Sequence, residues 1–234
     1  MRNKKNKLAV FDIDGTIFRK NLAFELIDEL AWMNVFDKSV RNKLVKLYTN
    51  WLDHKGVYED YRKALVELYC QNLAGCRRED ILKASRVVVP FYKDRTYVFT
   101  ARLIQKLKRE NYALIAISGS PVEIVEEYNK YMKFDDVFGS VYELNTEGVY
   151  TGRAVFEPTI DKGQVVRQYL AEKNLNLEDS FGVGDTESDA SFLRMMANPI
   201  AFNPNENLKK IAEKENWKIV VEKKDVIYEI NSRE

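Results

Sequence analysis

Two aspartates, Asp12 and Asp14, follow directly after the apolar run Leu8-Ala9-Val10-Phe11. The run predicts a buried strand, and carboxylates at the edge of a core need a partner, which a divalent cation can supply. The pair suits covalent phosphoryl transfer, in which one aspartate attacks phosphorus, the other handles protons, and a metal ion neutralises the phosphate. The spacing therefore predicts chemistry on a phosphate group.

Three more segments carry reactive side chains at places where a site can form. Ser118 follows a predicted strand at 113–117, and Asp185 follows a predicted strand at 181–183. Lys162 opens a predicted helix. Ligands of open α/β sheets bind beyond the carboxyl ends of the parallel strands, so these groups converge if the strands are neighbours.

Short apolar runs alternate with amphipathic helical stretches through most of the chain. The predicted strands are 8–11, 113–117, 181–183 and 200–202, and the predicted helices outside the segment 21–90 are 102–109, 122–131 and 162–173. Alternation of this kind predicts a Rossmann-like α/β fold, with a mostly parallel sheet and helices on both faces. We also expect a β-hairpin between residues 139 and 156, and after residue 207 one helix followed by a last strand near 217–221.

The segment from residue 21 to residue 90 differs from the rest, because it shows no clear strand. Apolar residues recur at helical spacing over 22–32, 40–51 and 58–73. We therefore expect two domains: an α/β core formed by residues 1–20 and 91–234, and an inserted all-helical cap formed by residues 21–90. The aromatic residues of the insertion are expected to form the cap core; they are Trp32, Tyr48, Trp51, Tyr58, Tyr61 and Tyr69.

Charge and composition exclude several classes of function. The chain has 37 basic and 36 acidic residues and a net charge of +1, which gives no bulk attraction to nucleic acid or to an anionic membrane. No run approaches the roughly 18 apolar residues that a membrane span needs, and the basic stretch 1–7 lacks the apolar segment of a signal peptide. Cys70 and Cys76 are too few for a disulfide framework, so we expect reduced thiols and a cytoplasmic protein. The sequence does not fix the oligomeric state.

The chain has a single histidine, His54, in the segment Asp53-His54-Lys55-Gly56. A histidine-rich zinc or iron site is therefore not available. A Ser-His-Asp triad would have to use this residue, and no Gly-x-Ser-x-Gly motif accompanies it. We expect His54 on a surface turn between two helices, with substrate contact from a cap loop as the alternative.

In this order and at these positions, the motifs resemble those of the haloacid dehalogenase superfamily. The closer similarity is to its phosphoserine-phosphatase-like branch, which has a helical cap after the first motif. The segment Asp12-Ile13-Asp14-Gly15-Thr16 resembles the first motif, Ser118 the second and Lys162 the third. Gly184-Asp185-Thr186-Glu187-Ser188-Asp189 resembles the fourth, so the resemblance extends from about residue 8 to residue 202.

The resemblance implies roles for the four aspartates. Asp12 is the nucleophile that forms an aspartyl-phosphate, and Asp14 protonates the leaving oxygen and then takes a proton from the hydrolytic water. Asp14 must be protonated at departure, so its pKa is expected to be raised relative to that of Asp12. Mg²⁺ is held by the Asp12 carboxylate, the Asp14 backbone carbonyl and Asp185, and Asp189 orients that shell.

The resemblance also implies a phosphate-binding set, in which Ser118 and Lys162 hold the phosphoryl oxygens. The Ser118 hydroxyl can donate, and the amide of Gly119, taken to lie at a helix start, adds a donor and a favourable dipole. Lys162 is a point charge suited to phosphate. The dipole of a helix disfavours a cation at its start, so a structural role alone does not account for Lys162.

The substrate is less well defined by the sequence. Arg19 and Asn21 enter the cap just after the first motif and are candidates for substrate contact. Phosphoserine phosphatases usually carry a glutamate near position 21 and a cap arginine, but this chain has Asn21, and Arg62 is not clearly in register. The fourth motif also reads Thr186-Glu187-Ser188 where those enzymes often have Gly-Ala-Asn. These departures point away from phosphoserine and leave sugar, amino-alcohol and polyol phosphates open.

The sequence thus predicts Mg²⁺-dependent hydrolysis of a small-molecule phosphomonoester through an aspartyl-phosphate. A cap over the site excludes bulk water and selects a small phosphorylated metabolite rather than a phosphoprotein. The alternatives are a phosphoserine phosphatase proper and a phosphotransferase that uses the same intermediate. A catalytically silent binding domain is the non-enzymatic alternative, but it predicts the loss of a motif residue, and none is lost.

Overall fold

The computed structural model describes residues 5–230, which contain eight strands, nine α-helices and two short 3-10 turns. The strands are β1 (Lys7–Phe11), β2 (Ala113–Pro121), β3 (Asp136–Leu144), β4 (Tyr150–Phe156), β5 (Asn176–Gly184), β6 (Asn198–Phe202), β7 (Lys218–Lys223) and β8 (Val226–Ile230). The helices are α1 (Leu22–Trp32), α2 (Ser39–Leu52), α3 (Tyr58–Leu73), α4 (Arg78–Tyr92), α5 (Val98–Arg109), α6 (Val122–Met132), α7 (Lys162–Lys173), α8 (Ala190–Leu193) and α9 (Glu206–Lys214). The 3-10 turns are Pro158–Ile160 and Glu187–Asp189.

All eight strands form one sheet in the order β4-β3-β2-β1-β5-β6-β7-β8. The strands from β3 to β7 in this order run parallel, and β4 and β8 close the two edges as antiparallel partners. The first strand lies between β2 and β5, where Val10 is paired with Ile115 on one side and Gly182 on the other. The predicted α/β fold is confirmed, and the strands that precede Asp12, Ser118 and Asp185 are neighbours.

Helices cover both faces of the sheet because successive side chains of each strand point to opposite faces. Leu8 and Val10 of β1 join a buried cluster with α7, α8 and α9. Ala9 and Phe11 join a second cluster with α5, α6 and the inserted helices. All four side chains are fully buried. Full burial of a large apolar side chain such as Leu8 or Phe11 contributes about 1.5–3 kcal/mol, so β1 is held firmly at the centre of the sheet.

The insertion after β1 consists of the four helices α1 to α4, one more than the three stretches that the periodicity singled out. Its buried apolar residues belong to the same cluster as those of α6; Leu26 of α1, Ile81 of α4 and Ile124 of α6 are examples. The insertion therefore packs continuously against one face of the core.

The chain enters and leaves the insertion at one place. Phe18 forms an antiparallel bridge with Thr96, and the Tyr97 amide donates to the Ile17 carbonyl at 3.0 Å. The two chain segments that connect the core with the insertion therefore lie side by side, as expected for an inserted domain. On this basis we propose residues 21–90 as a cap domain and residues 1–20 and 91–234 as the core.

Three expectations about the elements were wrong, and the first two failed because of a contact with a distant part of the chain. The second strand continues to Pro121, which pairs with Ser140 of β3. The fifth helix begins at Val98, because the buried Glu222 carboxylate accepts the Val98 and Phe99 amides at 3.1 and 2.8 Å. The expected last strand is followed by β8, since a turn with Lys224 at φ +55° folds the chain back on β7.

The cysteines, the possible membrane segments and the first residues add smaller findings. Cys70 and Cys76 are free and half-buried. No helix among residues 5–230 is both long and apolar enough to cross a membrane. Residues 1–4 of the expected basic tail lie outside the described residues, and Lys5 and Lys7 form exposed ion pairs.

Candidate active site

A buried ion pair joins Asp12, which follows β1, to Lys162, the first residue of α7. The Lys162 ammonium lies 2.6 Å from Asp12 Oδ1 and 2.6 Å from Asp189 Oδ1. Lys162 is 1 % exposed, so three charges are removed from water together. A lysine is not placed in such a position without partners, and of the groups expected to converge, Asp12 and Lys162 are in direct contact.

Asp12, Asp185 and Asp189 bring one carboxylate oxygen each to within 4.8 Å of one another. Asp185 follows β5 directly, beside β1 in the sheet. The chain after β1 approaches it at Gly15, which has φ +88°, and a Cβ at that position would collide with the Asp185 carboxylate. Glycine is required here for both reasons, and it allows the first and fourth motifs to meet.

Asp189 is fixed by its own chain segment. Its Oδ2 accepts the amides of Asp185 and Thr186 at 2.9 and 3.0 Å, while Oδ1 binds Lys162. The bond from the Thr186 amide belongs to a capping box on the 3-10 turn Glu187–Asp189, in which the Thr186 side chain in turn accepts the Asp189 amide. Both oxygens therefore have partners, as expected of a residue that orients its neighbours.

Asp14 accepts three hydrogen bonds. Its Oδ1 accepts the Leu22 amide at 2.6 Å, and its Oδ2 accepts the hydroxyls of Ser118 and Ser120 at 2.6 and 2.8 Å. The Ser120 hydroxyl also accepts the Ala23 amide at 3.1 Å, which ties the site to the start of α1. Asp14 is thus held in one orientation by β2 and by the cap.

The predicted second motif differs from expectation in its local structure. Ser118 is fully buried, and its hydroxyl is committed to Asp14, so the predicted contact with phosphate stays a prediction. Gly119 does not lie at a helix start, because β2 runs to Pro121 and α6 begins at Val122. The expected contribution of a helix dipole at Gly119 was therefore wrong.

Burial shapes the charge of the site. It raises the pKa of Asp12 to about 7 and that of Asp185 well above its ordinary value, and neighbouring carboxylates add to the effect on Asp185. Burial also raises the pKa of Asp14, which is the direction a general acid needs. Burial alone would lower the pKa of Lys162, but the carboxylates of Asp12 and Asp189 have the larger effect and raise this pKa.

The donor set fits a divalent cation. Asp12, Asp185 and Asp189 each contribute a buried carboxylate oxygen, and the three oxygens are close enough to share one ion. Four carboxylates, those of Asp12, Asp14, Asp185 and Asp189, lie around the single ammonium of Lys162, so negative charge is in excess. Carboxylate oxygens are the ligands that Mg²⁺ prefers, and a cation among them would favour their ionised forms.

A cleft of about 340 Å³, here called the inner cleft, opens over these residues. Its floor includes Asp12, Asp14 and Lys162, and α3 of the insertion forms its roof through residues such as Tyr58 and Arg62. Arg62 forms two hydrogen bonds with Glu59, at 2.8 and 2.7 Å. The space suits a phosphate with a small alcohol.

A second space of about 640 Å³, here called the outer cavity, lies between the α2–α3 loop and residues 203–207. Asn21, Tyr58 and Asp185 line both spaces, so the two are adjacent. His54 lies in the α2–α3 turn, exposed as expected, and borders the outer cavity.

The cap aromatics divide between the core and the surface. Tyr61 and Tyr69 are buried as expected, but Trp32 is 62 % exposed and packs under the Arg41 guanidinium. Tyr48 is also partly exposed and lines the outer cavity. Helical periodicity identified the helices but could not distinguish a core face from a cavity wall.

The two predicted substrate residues line the outer cavity, but their polar groups have partners. Arg19 forms an ion pair with Glu222 and donates to the Thr96 carbonyl at 3.0 Å. Asn21 caps α1, where its side chain accepts the Phe24 amide at 3.0 Å. Their role in substrate contact stays a prediction.

Sequence reasoning missed Ser120 as a positioning residue, although it lies two residues after Ser118. The sequence around Ser120 has no feature that distinguishes it, because its contacts are with Asp14 of the first motif and with Ala23 of α1. Both contacts are between residues distant in sequence, so only the folded structure reveals the role of Ser120.

Replacing Ser120 with alanine removes one of the three donors to Asp14. We expect kcat for an alkyl phosphate to fall about tenfold, because a hydrogen bond to a charged group contributes about 1.5–3 kcal/mol. The loss for p-nitrophenyl phosphate is expected to be smaller, since its leaving group needs little protonation. Ser85→Ala is the matched control, because this buried serine donates only to Ile81 within α4. Equal losses for both esters would contradict the role.

Comparisons with known proteins agree with this geometry. The family model described as haloacid dehalogenase-like hydrolase matches residues 9–194. A histidinol-phosphatase of Neisseria meningitidis is 22 % identical over 225 residues, covering 91 % of this chain and 97 % of that protein. A phosphoserine phosphatase of Methanocaldococcus jannaschii is 26 % identical over 226 residues, covering 95 % of each chain. A solved phospho-aspartyl intermediate analogue of phosphoserine phosphatase superposes with a TM-score of 0.61 at 25 % identity, covering 95 % of this chain and 96 % of the other.

Proposed function

The chain belongs to the haloacid dehalogenase-like hydrolases and is a phosphoric monoester hydrolase, and we propose that it cleaves small phosphate esters by way of Asp12. One observation carries the proposal. Asp12 has one oxygen bound by Lys162, and its other oxygen is buried with no hydrogen-bond partner within residues 5–230, beside two further carboxylates. A carboxylate held at one oxygen and free at the other is suited to attack phosphorus.

In the first step, Asp12 attacks phosphorus and the bond between phosphorus and the ester oxygen breaks. Asp14 gives its proton to the departing alkoxide, so the alcohol leaves neutral. The product on the enzyme is an aspartyl-phosphate on Asp12. The raised pKa of Asp14 and its fixed position beside the cleft support the role of acid.

In the second step, Asp14 takes a proton from water, and the water oxygen attacks phosphorus. The bond between phosphorus and the Asp12 oxygen breaks, releasing inorganic phosphate and restoring the carboxylate of Asp12. Covalent catalysis thus divides one difficult displacement into two easier ones.

Like-charge repulsion opposes attack of a carboxylate on a phosphate dianion. Lys162 offsets it as a buried point charge beside Asp12. The Asp12 and Asp185 carboxylates and the Asp14 backbone carbonyl are the proposed holders of Mg²⁺. When bound, Mg²⁺ supplies positive charge that stabilises the transferring phosphoryl group.

Two observations support a small phosphorylated metabolite as the substrate. The roof formed by α3 limits the inner cleft to about 340 Å³. Relatives of nearly the same length are called histidinol-phosphatase and phosphoserine phosphatase. A panel of small phosphate esters, including phosphoserine and histidinol phosphate, assayed for released phosphate with Mg²⁺ tests the proposal. The proposal would be contradicted if none of these esters, and not even p-nitrophenyl phosphate, were hydrolysed.

Replacing Asp14 with asparagine separates the two steps. For an alkyl phosphate we expect kcat to fall by roughly 10²–10⁴-fold, because general acid catalysis is lost. With p-nitrophenyl phosphate, whose leaving group departs without a proton, we expect a rapid burst of p-nitrophenol and then slow turnover. Rapid-quench kinetics measures the burst. A loss of equal size for both esters without a burst would remove Asp14 from the acid role.

A further inference from the structure

The outer cavity, with a volume of about 640 Å³, borders the catalytic residues. Since it shares Asn21, Tyr58 and Asp185 with the inner cleft, an ester whose phosphate reaches Asp12 can extend its alcohol half into it. The residues that line the cavity therefore indicate the chemical character of the alcohol half. This step rests on the function proposed above.

One wall of the outer cavity is aromatic. The Trp51 ring centroid lies 5.3 Å from that of Tyr58, 5.6 Å from that of Tyr48 and 5.8 Å from that of Tyr61, and all four residues line the cavity. Trp51 and Tyr58 are only half-buried, so part of their surface faces the space. Aromatic faces of this kind attract organic cations.

The arginines and lysines of the outer cavity wall are already paired. Arg19 binds the buried Glu222, and Lys20 lies 2.5 Å from the buried Glu25. Neither is free to neutralise a carboxylate on the substrate.

The arginine and lysine side chains of the inner cleft are also paired with carboxylates, and Lys162 is the one assigned to the phosphate. Arg62 is bound through two of its nitrogens by Glu59, and Lys63 lies 3.6 Å from the same carboxylate. The field of Glu187 acts on Arg62 as well. Glu187 accepts the side-chain amides of Asn205 and Asn207 and forms no ion pair among residues 5–230. The two carboxylates, Glu59 and Glu187, thus balance the charges of Arg62 and Lys63.

We infer that the alcohol half of the substrate carries an ammonium group and no carboxylate, and that the aromatic wall around Trp51 receives it. The substrate class is the phosphate ester of an amino alcohol. The wall attracts the cation, and the paired arginines and lysines leave no free positive charge for a carboxylate.

Two matched pairs of esters test the inference by steady-state kinetics. Phosphocholine is compared with its carbon isostere, in which a quaternary carbon replaces the nitrogen, and we expect kcat/KM to favour phosphocholine about 5–30-fold. Phosphoethanolamine is compared with phosphoserine, which differs only by a carboxylate, and we expect a preference of at least about tenfold for phosphoethanolamine. Each ratio is measured within one enzyme preparation, so it does not depend on the folded fraction.

Two variants locate the effects. Trp51→Leu is expected to bring the ratio of phosphocholine to its isostere close to one, and Trp32→Leu, a tryptophan of the same cap that is 62 % exposed, serves as the control with an unchanged ratio. Glu59→Gln frees Arg62 and is expected to lower the preference for phosphoethanolamine over phosphoserine about tenfold.

The outcomes separate this inference from the function on which it rests. If p-nitrophenyl phosphate is hydrolysed but the wild type does not favour the cationic ester, the inference is wrong and the phosphatase function stands. The inference is equally overturned if Trp51→Leu leaves the first ratio unchanged or if phosphoserine is preferred to phosphoethanolamine. If no ester is hydrolysed, the proposed function fails as well.

Discussion

Asp12→Asn is expected to lower kcat by roughly four to six orders of magnitude, the loss typical of removing a covalent nucleophile. Asparagine has the same shape as aspartate but cannot carry the phosphoryl group. Folding is expected to be preserved, because Asp189 still partners the Lys162 ammonium and one buried charge is removed. Initial rates with p-nitrophenyl phosphate measure the loss.

The control for this variant is a test that it folds as the wild type does. Circular dichroism and thermal unfolding of Asp12→Asn should match those of the wild type, and phosphate ester binding measured by calorimetry should persist. Turnover by the variant at more than about one hundredth of the wild-type rate would contradict the role of Asp12 as nucleophile.

Removing divalent cations with EDTA is expected to lower turnover at least about a thousandfold, since a bound cation supplies several kcal/mol of stabilisation to the transition state. Adding Mg²⁺ should restore the rate. The basis of this expectation is the group of three buried carboxylates whose oxygens lie within 4.8 Å of one another.

A readout independent of activity accompanies the metal test. Mg²⁺ at a hundredfold excess over Kd should raise the Tm of the wild type by about 5–10 °C, because it binds only the folded chain. Asp185→Asn should lose most of this rise. Full activity in metal-free buffer, or an equal rise in Tm for Asp185→Asn, would contradict the proposed cation site.

The central sheet was predictable because its signals are local. The apolar run before Asp12 and the run before Asp185 are both β-strands, and burial on both faces of a parallel sheet requires such continuous runs. Helix starts were predictable where the sequence itself decides them, as at Lys162, where Asp161 caps the helix. Convergence of the motifs then followed from the order of the strands.

Features that depend on distant contacts were not predictable. The start of α5 at Val98 is set by the carboxylate of Glu222, more than a hundred residues away. The commitment of Ser118 to Asp14 needs β2 to stay extended beyond residue 117, which its pairing with β3 provides. The pairing of Arg62 with Glu59 decides its availability, and residue type alone does not reveal that pairing.

Trapping the phosphoryl group on the enzyme identifies the residue that attacks phosphorus. Asp14→Asn is mixed with p-nitrophenyl phosphate and Mg²⁺, quenched in acid during the burst and digested, and the peptides are analysed by mass spectrometry. We expect one phosphoryl group on the peptide that contains Asp12, at a stoichiometry equal to the burst, and none in Asp12→Asn. A burst of p-nitrophenol with no phosphoryl group on Asp12, or with the group on another residue, would contradict it.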